Sequence, residues 1–492
     1  MARAPTSVAV WTPAVASRRV LSALALQRLA LSADERVMLR WLLSLALLHG
    51  LIYLIVVPPW QHYDEPNHFL YAAEIAAGEL HAAGQSSVTI SRDVADSMYR
   101  FQFFPPGVRP VLAGLGSVPL GESQRVHSPL YYMLVAIPIG ALRFLSVEQQ
   151  LYAARAVSLL LYLITVVAAW RIAVAVLPDE PLMQMVLPAL VTLAPAFTDL
   201  MTAVNSDVLA NMSVTICLLG AVLLVRDGLR PVPLALALLG LSVALMTKRT
   251  AVGVSLPLAL ALIWSLRRRP IPWWVSALVL VGSGLLIGLA GLRVELLPGP
   301  SGLHPVLTPR AWLEELDRSY LRLNLGAWIE SVTDVDRIGG RYQILVGVAF
   351  TGFWGRFGWG NLAVAPAWDV SLVALVLAAM VGLTVGAFRF APGLPLWQRR
   401  CLLIFGTAVI VSWLSIFVRL HPLPAVTQPI YVPRGRYMFW AIVPHIWLLS
   451  LGLLWLVPLR WRREGAVTLF SFFVALDLSV WAWTMVNYYY LT

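Results

Sequence analysis

Two adjacent carboxylates, Asp64 and Glu65, follow the first long apolar stretch of the chain directly. Acidic residues at the edge of a membrane span are costly to keep unless they serve a function. A carboxylate here could take a proton from an acceptor hydroxyl, or hold a divalent cation such as Mg²⁺ or Mn²⁺. The structural alternative is a helix cap: an acid before Pro66 can open a helix, predicted over 66–80 and ending near Gly78.

Histidines flank the acidic pair on both sides. His62 and His68, together with the two acids, have the residue types of a zinc or manganese site. Their spacing is not that of a known helical metal pair, and interfacial histidines in an aromatic belt would look the same. His68 is a candidate for substrate binding as well.

Basic residues stand where a membrane span should surface on the same side. Lys248 is the only lysine of the chain, and Arg249 follows it between two apolar runs. An ammonium and a guanidinium at this depth suit a phosphate or pyrophosphate, although long side chains at helix ends also snorkel to the headgroups. Arg434 and Arg436, before a later span, could bind phosphate or anchor that helix end.

Two further segments carry candidate substrate-binding residues. Asn205 and Asp207 lie at the start of a predicted helix, where the segment could be an N-cap or could supply a second carboxylate. Trp354 and Arg356 belong to a run of aromatics and glycines over 353–360. Such a run suits stacking on a sugar ring and contact with an anion, but interfacial belt residues would look similar.

The composition identifies the elements that must position these residues. Hydrophobic residues make up 59% of 492 positions and charged residues 12%, with a mean hydropathy of +0.77. A soluble domain is about half apolar and a quarter charged, so the chain is a multi-pass, all-α membrane protein. The net charge of +11 does not indicate nucleic-acid binding, because the arginines sit at the ends of apolar runs. Nucleotide-binding glycine motifs and a serine-nucleophile elbow are absent from the sequence, and both cysteines lie in apolar segments.

About eleven transmembrane helices are predicted. They are 41–58, 151–170, 182–198, 207–225, 231–247, 250–266, 272–292, 368–388, 401–418, 437–459 and 466–487. Segment 129–145 is short and interrupted by Pro138 and Gly140. If it does not cross, the arginine clusters at 267–269 and 460–463 face the cytoplasm, as the positive-inside rule requires. We therefore predict that 129–145 is interfacial or re-entrant.

This topology divides the chain into a cytoplasmic tail, 1–40, and one transmembrane domain, 41–492. The amino terminus is then cytoplasmic, and the extracytoplasmic loops are 59–150, 293–367 and 419–436. A helix is predicted to open at Thr308 and Pro309 within the second loop. All the candidate residues then share the extracytoplasmic face.

The order of these motifs resembles the GT-C class of polytopic glycosyltransferases, which includes protein O-mannosyltransferases and the aminoarabinose transferase of lipid A. The similarity is greatest to a bacterial group with Asp-Glu-Pro-x-His-Phe, here Asp64 to Phe69. His127, Tyr131 and Tyr132 resemble the element that closes the first loop, although Ser128 replaces a proline and His127 a lysine. Asn205 to Asp207, Thr247-Lys248 and Gly435 to Tyr437 keep the family's order.

The resemblance implies a GT-C-like fold with a large first loop, in the bacterial plasma membrane. It implies transfer of a sugar from a polyprenyl phosphate to a glycan, lipid or protein acceptor, with inversion. Asp64 or Glu65 would be the base, and Lys248, Arg249, Arg434 and Arg436 would hold the donor phosphate. His68, His127, Tyr131, Asn205, Asp207, Trp354 and Arg356 would bind the substrates.

Three other functions stay open from the sequence. One is a polysaccharide polymerase or ligase with a lipid-linked oligosaccharide donor, whose key basic residues lie in late loops like Arg434 and Arg436. Another is a lipid or glycan flippase, for which Asp477 is the obvious mid-span acid. A non-catalytic scaffold is the third, and it predicts that replacing Asp64 and Glu65 is harmless.

Overall fold

A computed structural model describes residues 32–79, 85–103, 124, 128–266, 346–419 and 434–491. Four earlier expectations lie outside this part of the chain: the residue His127, the side chain of Arg249, the span 272–292 and the helix at 308–309. The described residues are almost entirely helical, and the chain is a multi-pass helical membrane protein.

The first helix, α1 (Ala33–Val56), begins before the predicted boundary at 41. The reason is a capping box: Glu35 N donates to Ser32 Oγ over 3.1 Å, and Ser32 N donates to Glu35 Oε2 over 2.8 Å. Part of the expected tail is therefore helix. The serine and glutamate three residues apart were the signal for this start.

Three shorter helices follow: α2 (Glu65–Ala76), α3 (Gln85–Arg100) and α4 (Leu130–Ala141). Helix α2 confirms the helix predicted over 66–80, and it ends before Gly78, which has a φ of +77°. Helix α4 has 12 residues and contains Pro138. At 1.5 Å per residue it is about 18 Å long, which is short of the roughly 30 Å hydrocarbon thickness.

The central part of the bundle comprises α5 (Val147–Val176), α6 (Pro181–Thr192), α7 (Pro195–Thr202), α8 (Asp207–Asp227), α9 (Pro231–Thr247), a 3₁₀ turn (Arg249–Val254) and α10 (Ser255–Leu266). The predicted span 182–198 is a bent pair, because α6 and α7 meet at 64°. Pro195 lacks an N–H group and cannot extend α6, so a new helix starts there.

The second half has a short helical stretch, 346–354, and a two-stranded antiparallel hairpin, β1 (Arg356–Phe357) and β2 (Leu362–Ala363). Then come α11 (Pro366–Arg389), a 3₁₀ turn (Ala391–Gly393), α12 (Leu396–Arg419), a 3₁₀ helix (Gly435–Ala441), α13 (Ile442–Leu456), a 3₁₀ turn (Leu459–Trp461) and α14 (Arg462–Leu478). Helix α14 continues as two π-helical stretches, Ser479–Met485 and Asn487–Leu491.

Within the described ranges, seven helices are long and apolar enough to cross a membrane, and the bent pair makes an eighth candidate. In α8, 78% of the most apolar stretch is buried, against 22% in α11. Helix α8 is therefore central, and α11 presents most of its surface outward. Gly382 of α11 and Gly452 of α13 allow these two backbones to approach closely, because a Cβ on either glycine would meet the other helix's backbone.

The alternation of the spans brings distant segments to one end of the bundle. Five segments lie at this end: the loop after α1, the turn before α8, the turn after α9, the hairpin and the start of the 435–441 helix. The contacts Asp64–Arg436, Asp207–Lys248 and Tyr490–Val56 join segments at this end. The opposite end carries an arginine-rich set: Arg226, Arg230, Arg389, Arg399, Arg400, Arg460, Arg462 and Arg463. The first end, which holds the predicted site residues, is called the site end.

Candidate functional site

Four charged side chains from four segments form a cluster at the site end. Arg436 Nη2 donates to Asp64 Oδ2 over 2.9 Å, across 372 residues of sequence. Lys248 Nζ forms an ion pair with Asp207 Oδ1. Arg436 also lies within electrostatic reach of both Asp64 and Asp207. These four residues, named here the charge cluster, are partly open: their side chains are between 8% and 23% exposed.

The capping alternative does not describe Asp64. It occupies the N-cap position of α2 with φ 58° and ψ 10°, and its side chain makes no capping hydrogen bond. A left-handed backbone is uncommon for residues other than glycine and often accompanies a functional constraint. Here it lets the backbone start α2 while the carboxylate points to Arg436. The Asp64 carboxylate therefore belongs to the charge cluster and does not cap α2.

Glu65 is in a different environment, although it is the next residue. Its carboxylate is fully buried and accepts two hydrogen bonds from Arg155, of 2.8 Å from Nε and 2.6 Å from Nη2. The backbone N–H groups of Trp60 and Val204 donate to the same carboxylate over 3.1 and 3.2 Å. Both of its oxygens are thus occupied, and Glu65 joins the loop after α1 to α5 and to the turn before α8.

Arg155 completes this buried pair, and it was missed by the sequence analysis. Its guanidinium is fully buried and donates further to the carbonyl oxygens of Leu54, Val57 and Pro58. Burial by itself raises the pKa of Glu65, but the adjacent Arg155 charge outweighs it, and the pKa of Glu65 lies below its usual value. The only sequence signal was a guanidinium inside the predicted span 151–170.

Arg436 has donor capacity beyond its bond to Asp64. Its guanidinium carbon lies 3.5 Å from the centre of the Tyr63 ring and 5.4 Å from that of Tyr437. Its Nε and Nη1 atoms are buried and have no hydrogen-bond partner among the described residues. Two other cations lie near the same rings. Arg434 is 5.1 Å from the Tyr63 ring centre, and Lys248 is 6.0 Å from the Tyr437 ring centre. Positive charge therefore lines an aromatic surface.

The aromatic surface includes a tryptophan that was not among the predicted site residues. Trp359 stacks on Tyr63 with ring centres 5.4 Å apart, and its Nε1 donates to Trp60 O over 3.3 Å. Gly358 and Gly360 on either side have φ of +57° and +88°, which a side chain would strain. These glycines allow the hairpin to turn and place Trp359 beside the charge cluster.

Trp354 and Arg356, which were predicted to bind substrate, lie elsewhere. Trp354 is buried and packs edge-on against Phe353 and Phe473. Arg356 is exposed on β1. The structure does not bring either into the charge cluster, so the aromatic run contributes its last tryptophan to the site and its first to the core.

Three other predicted residues hold the loops of the charge cluster in place through hydrogen bonds. Asn205 Oδ1 accepts from Asp207 N over 2.9 Å, and its Nδ2 donates to Tyr63 O over 3.3 Å. Tyr131 is buried, accepts from Asn205 N over 2.9 Å and lies 2.8 Å from Ser158. His68 Nδ1 lies 2.8 Å from the Tyr132 hydroxyl and is buried too. These side chains fix the loops that carry Asp64 and Asp207.

The two histidines do not converge on a common point. His62 Nδ1 lies 2.9 Å from Asp199 Oδ1, whereas His68 faces Tyr132. Asp64 and Glu65 likewise turn to different arginines. Across the described ranges, no three side chains of His, Cys, Asp or Glu come together as a metal-binding group. The described residues therefore do not bring the four side chains considered from the sequence together as a zinc or manganese site.

Comparison with known proteins adds no family. No model of a known protein family matches the chain, and a search of curated proteins finds no match either.

Proposed function

We propose that the chain is a glycosyltransferase that takes a sugar from a polyprenyl phosphate and passes it to a cell-envelope acceptor. The observation that carries this proposal is the convergence of Asp64, Asp207, Lys248 and Arg436 from four distant segments. Two carboxylates and two cations beside an aromatic surface are suited to a substrate that has hydroxyls, a sugar ring and a phosphate.

The charge of the site supports a phosphate ligand. With Arg434 included, the site has three cations and two carboxylates. The buried Nε and Nη1 donors of Arg436 have no hydrogen-bond partner among the described residues, and a phosphate oxygen would satisfy them. Lys248, at the C-terminus of α9, would meet the phosphate from the other side. Arg249 is proposed to assist from the next position in the chain.

The proposed reaction is a single displacement at the anomeric carbon. The acceptor oxygen attacks this carbon while its proton passes to the Asp64 carboxylate. The bond from the anomeric carbon to the phosphate oxygen breaks, and its electron pair stays on the phosphate. Lys248 and Arg436 offset the charge that develops on this leaving group. The sugar is transferred with inversion, and polyprenyl phosphate is released.

Asp64 and Glu65 have separate roles in this proposal. Arg436 turns its Nη2 donor from Asp64 to the donor phosphate, which leaves the Asp64 carboxylate to act as base. Glu65 has no oxygen to spare for the acceptor, because Arg155 and two backbone N–H groups occupy both. Glu65 is therefore a positioning residue. His68, Tyr131 and Asn205 also position the loops, while Tyr63 and Trp359 form the surface for the sugar.

The finer topology belongs to the same proposal. We infer about eleven spans with a GT-C-like arrangement, in a bacterial plasma membrane. The arginine-rich end faces the cytoplasm together with the amino terminus, because positive residues are retained there. The site end then faces outward, where polyprenyl-linked sugars are presented. A Mg²⁺ or Mn²⁺ ion, if one is used, would be held by Asp64 together with the donor phosphate.

Binding of polyprenyl phosphate alone tests the site without knowledge of the sugar. The purified chain in nanodiscs should be stabilised against heat by polyprenyl phosphate and not by the corresponding polyprenol. Lys248→Ala and Arg436→Ala should each weaken this binding at least tenfold. Arg226→Ala removes an ion-paired arginine at the opposite end and should leave it unchanged. Equal stabilisation by the uncharged polyprenol would refute phosphate recognition.

Transfer itself separates the enzyme from its rivals. With a panel of polyprenyl-phosphate sugars, Asp64→Asn should abolish release of polyprenyl phosphate, whereas Asp227→Asn at the other end should not. A flippase would move the lipid across vesicles without releasing the sugar. A polymerase or ligase would accept only oligosaccharide donors. A scaffold would be indifferent to Asp64→Asn.

A further inference from the structure

Three ionisable side chains meet inside the bundle, away from its ends. On α14, Asp477 lies 2.8 Å from His49 Nε2 and accepts a 2.7 Å hydrogen bond from the Tyr53 hydroxyl. The histidine and aspartate side chains are each 4% exposed, and Tyr53 is fully buried. His49 and Tyr53 belong to α1, which is a candidate span like the helix that carries Asp477. The trio, named here the buried triad, therefore lies at membrane depth.

A second pair of the same kind joins the loop after α1 to α7. His62 Nδ1 is 2.9 Å from Asp199 Oδ1, and both side chains are buried. Tyr53 is within electrostatic reach of Asp477 and of Asp199. All four ring nitrogens of His49 and His62 are buried, and among the described residues the nitrogens that face Asp477 and Asp199 meet them at ion-pair distance without the geometry of a hydrogen bond.

The charges of the buried triad make it sensitive to protons. His49 and Asp477 together carry no net charge when they share one proton, a negative charge when they have none and a positive charge when they have two. An unbalanced charge inside a bilayer protein is strongly disfavoured, and apolar residues would fill this space without that cost. Intramembrane acid–histidine pairs are therefore expected where proton binding is used.

Few other groups can balance this charge. Among the helices packed on the triad, Tyr162 on α5 and Asp199 on α7 interact with it electrostatically. Helix α6 and the stretch Ser479–Met485 contain no ionisable side chain, and α13, which packs on α14, carries His445. A change in protonation therefore mainly alters the electrostatic energy of the contact between α1 and α14.

We propose that His49, Tyr53 and Asp477 form an intramembrane proton-binding site whose occupancy controls how α14 docks on α1. Both helices lead to the site end. Helix α1 ends at Val56, about 5 Å beyond Tyr53 and about 11 Å beyond His49 at 1.5 Å per residue, and leads into the loop that carries Tyr63 and Asp64. Beyond α14, Tyr490 Oη donates to Val56 O over 3.1 Å, so the two helices are also joined at the site end.

A pH titration of the wild-type chain in nanodiscs tests the proposal, with tryptophan fluorescence as the signal. Trp60 is fully buried at the end of α1 and reports on its docking. Between about pH 5 and pH 8, where histidine changes charge, we expect one transition. In a His62→Gln background, which removes the second pair beside Trp60, it should be lost in Asp477→Asn and in His49→Gln. His445→Gln should retain it, because His445 is a half-buried histidine of the bundle that faces a backbone carbonyl, Ala441 O.

Tyr53→Phe keeps the ring packing and removes only the hydroxyl, so it decides the question if the other variants fold poorly. Without this donor the Asp477 carboxylate loses a hydrogen bond, and the midpoint of the transition should shift. A wild-type chain with no transition would overturn the proposal. So would a transition that is unchanged in Tyr53→Phe, or one that is lost in His445→Gln. None of these outcomes depends on glycosyl transfer, which Asp64→Asn tests separately.

Discussion

Replacement of Glu65 by glutamine should strongly destabilise the protein, whereas replacement of Asp64 by asparagine should not. The glutamine amide puts an NH₂ group where one carboxylate oxygen stood. If it replaces Oε2 it faces Arg155 Nη2 and Trp60 N, and if it replaces Oε1 it faces Arg155 Nε and Val204 N. Either way two buried donors lose their acceptor, and the Arg155 charge is left without a counter-ion.

The expected loss of unfolding free energy follows from the burial of the Glu65–Arg155 ion pair. Removal of one partner of a buried ion pair costs about 3–5 kcal/mol. Asp64 is partly exposed and asparagine can still accept from Arg436, so Asp64→Asn should cost about 1 kcal/mol or less. Glu148→Gln is the matched control for the glutamate, since Glu148 pairs with Arg100, which is 63% exposed. It should also cost about 1 kcal/mol or less.

Unfolding in mixed detergent micelles of increasing SDS content gives the free energies for these variants. The double variant Glu65→Gln with Arg155→Met should lose less than the sum of the single variants, because no uncompensated charge is left. Acid should weaken the wild-type chain in the same way. The folded-state pKa of Glu65 lies below its unfolded value, so the stability from the pair is present above the ordinary carboxyl pKa and is lost as pH falls through the lowered one. Equal stabilities of Glu65→Gln and Glu148→Gln would refute this reasoning.

Three further predictions concern other parts of the molecule. Gly452→Ala should destabilise the chain by about 1–3 kcal/mol, because the new Cβ would meet the backbone of Ala379, while Gly406→Ala, with open space around it, should be neutral in the same unfolding assay. Burial and the charge of Asp96 raise the pKa of Asp93, so the stability from its protonated form is lost as pH rises through that pKa. Asp93→Asn should therefore raise Tm at neutral pH, with a difference that vanishes on acidification. Trp359→Ala should weaken binding of a polyprenyl-phosphate sugar more than that of polyprenyl phosphate, as measured by thermal shift, whereas Trp461→Ala at the other end should affect neither.

The fate of the acidic pair shows how far the sequence could lead. The pattern Asp64-Glu65-Pro66 predicted two carboxylates at a helix start, and the helix begins at Glu65. Which acid is open to a ligand was decided by a left-handed backbone at Asp64 and by Arg155, 90 residues after Glu65. Local pattern cannot supply such a partner, because any arginine on a neighbouring helix could have met the acid.

The same limit applies to the aromatic run and to the membrane interior. Tryptophans at 354 and 359 look alike in sequence, but only the second reaches Tyr63, since the hairpin turn at Gly358 and Gly360 directs it there. Asp477 stood out as an acid within a span, whereas its bonds to His49 and Tyr53 join segments more than 400 residues apart.

Composition and the spacing of apolar runs determined by themselves that this is a helical membrane protein, because burial in lipid constrains every span through its own residues. Helix starts at serine and proline also followed from local hydrogen bonding. Only the tertiary structure decided which charges neutralise one another, since ion pairing depends on the side by side placement of helices. That placement makes Asp64 available, commits Glu65 to Arg155 and puts the lone lysine beside Asp207.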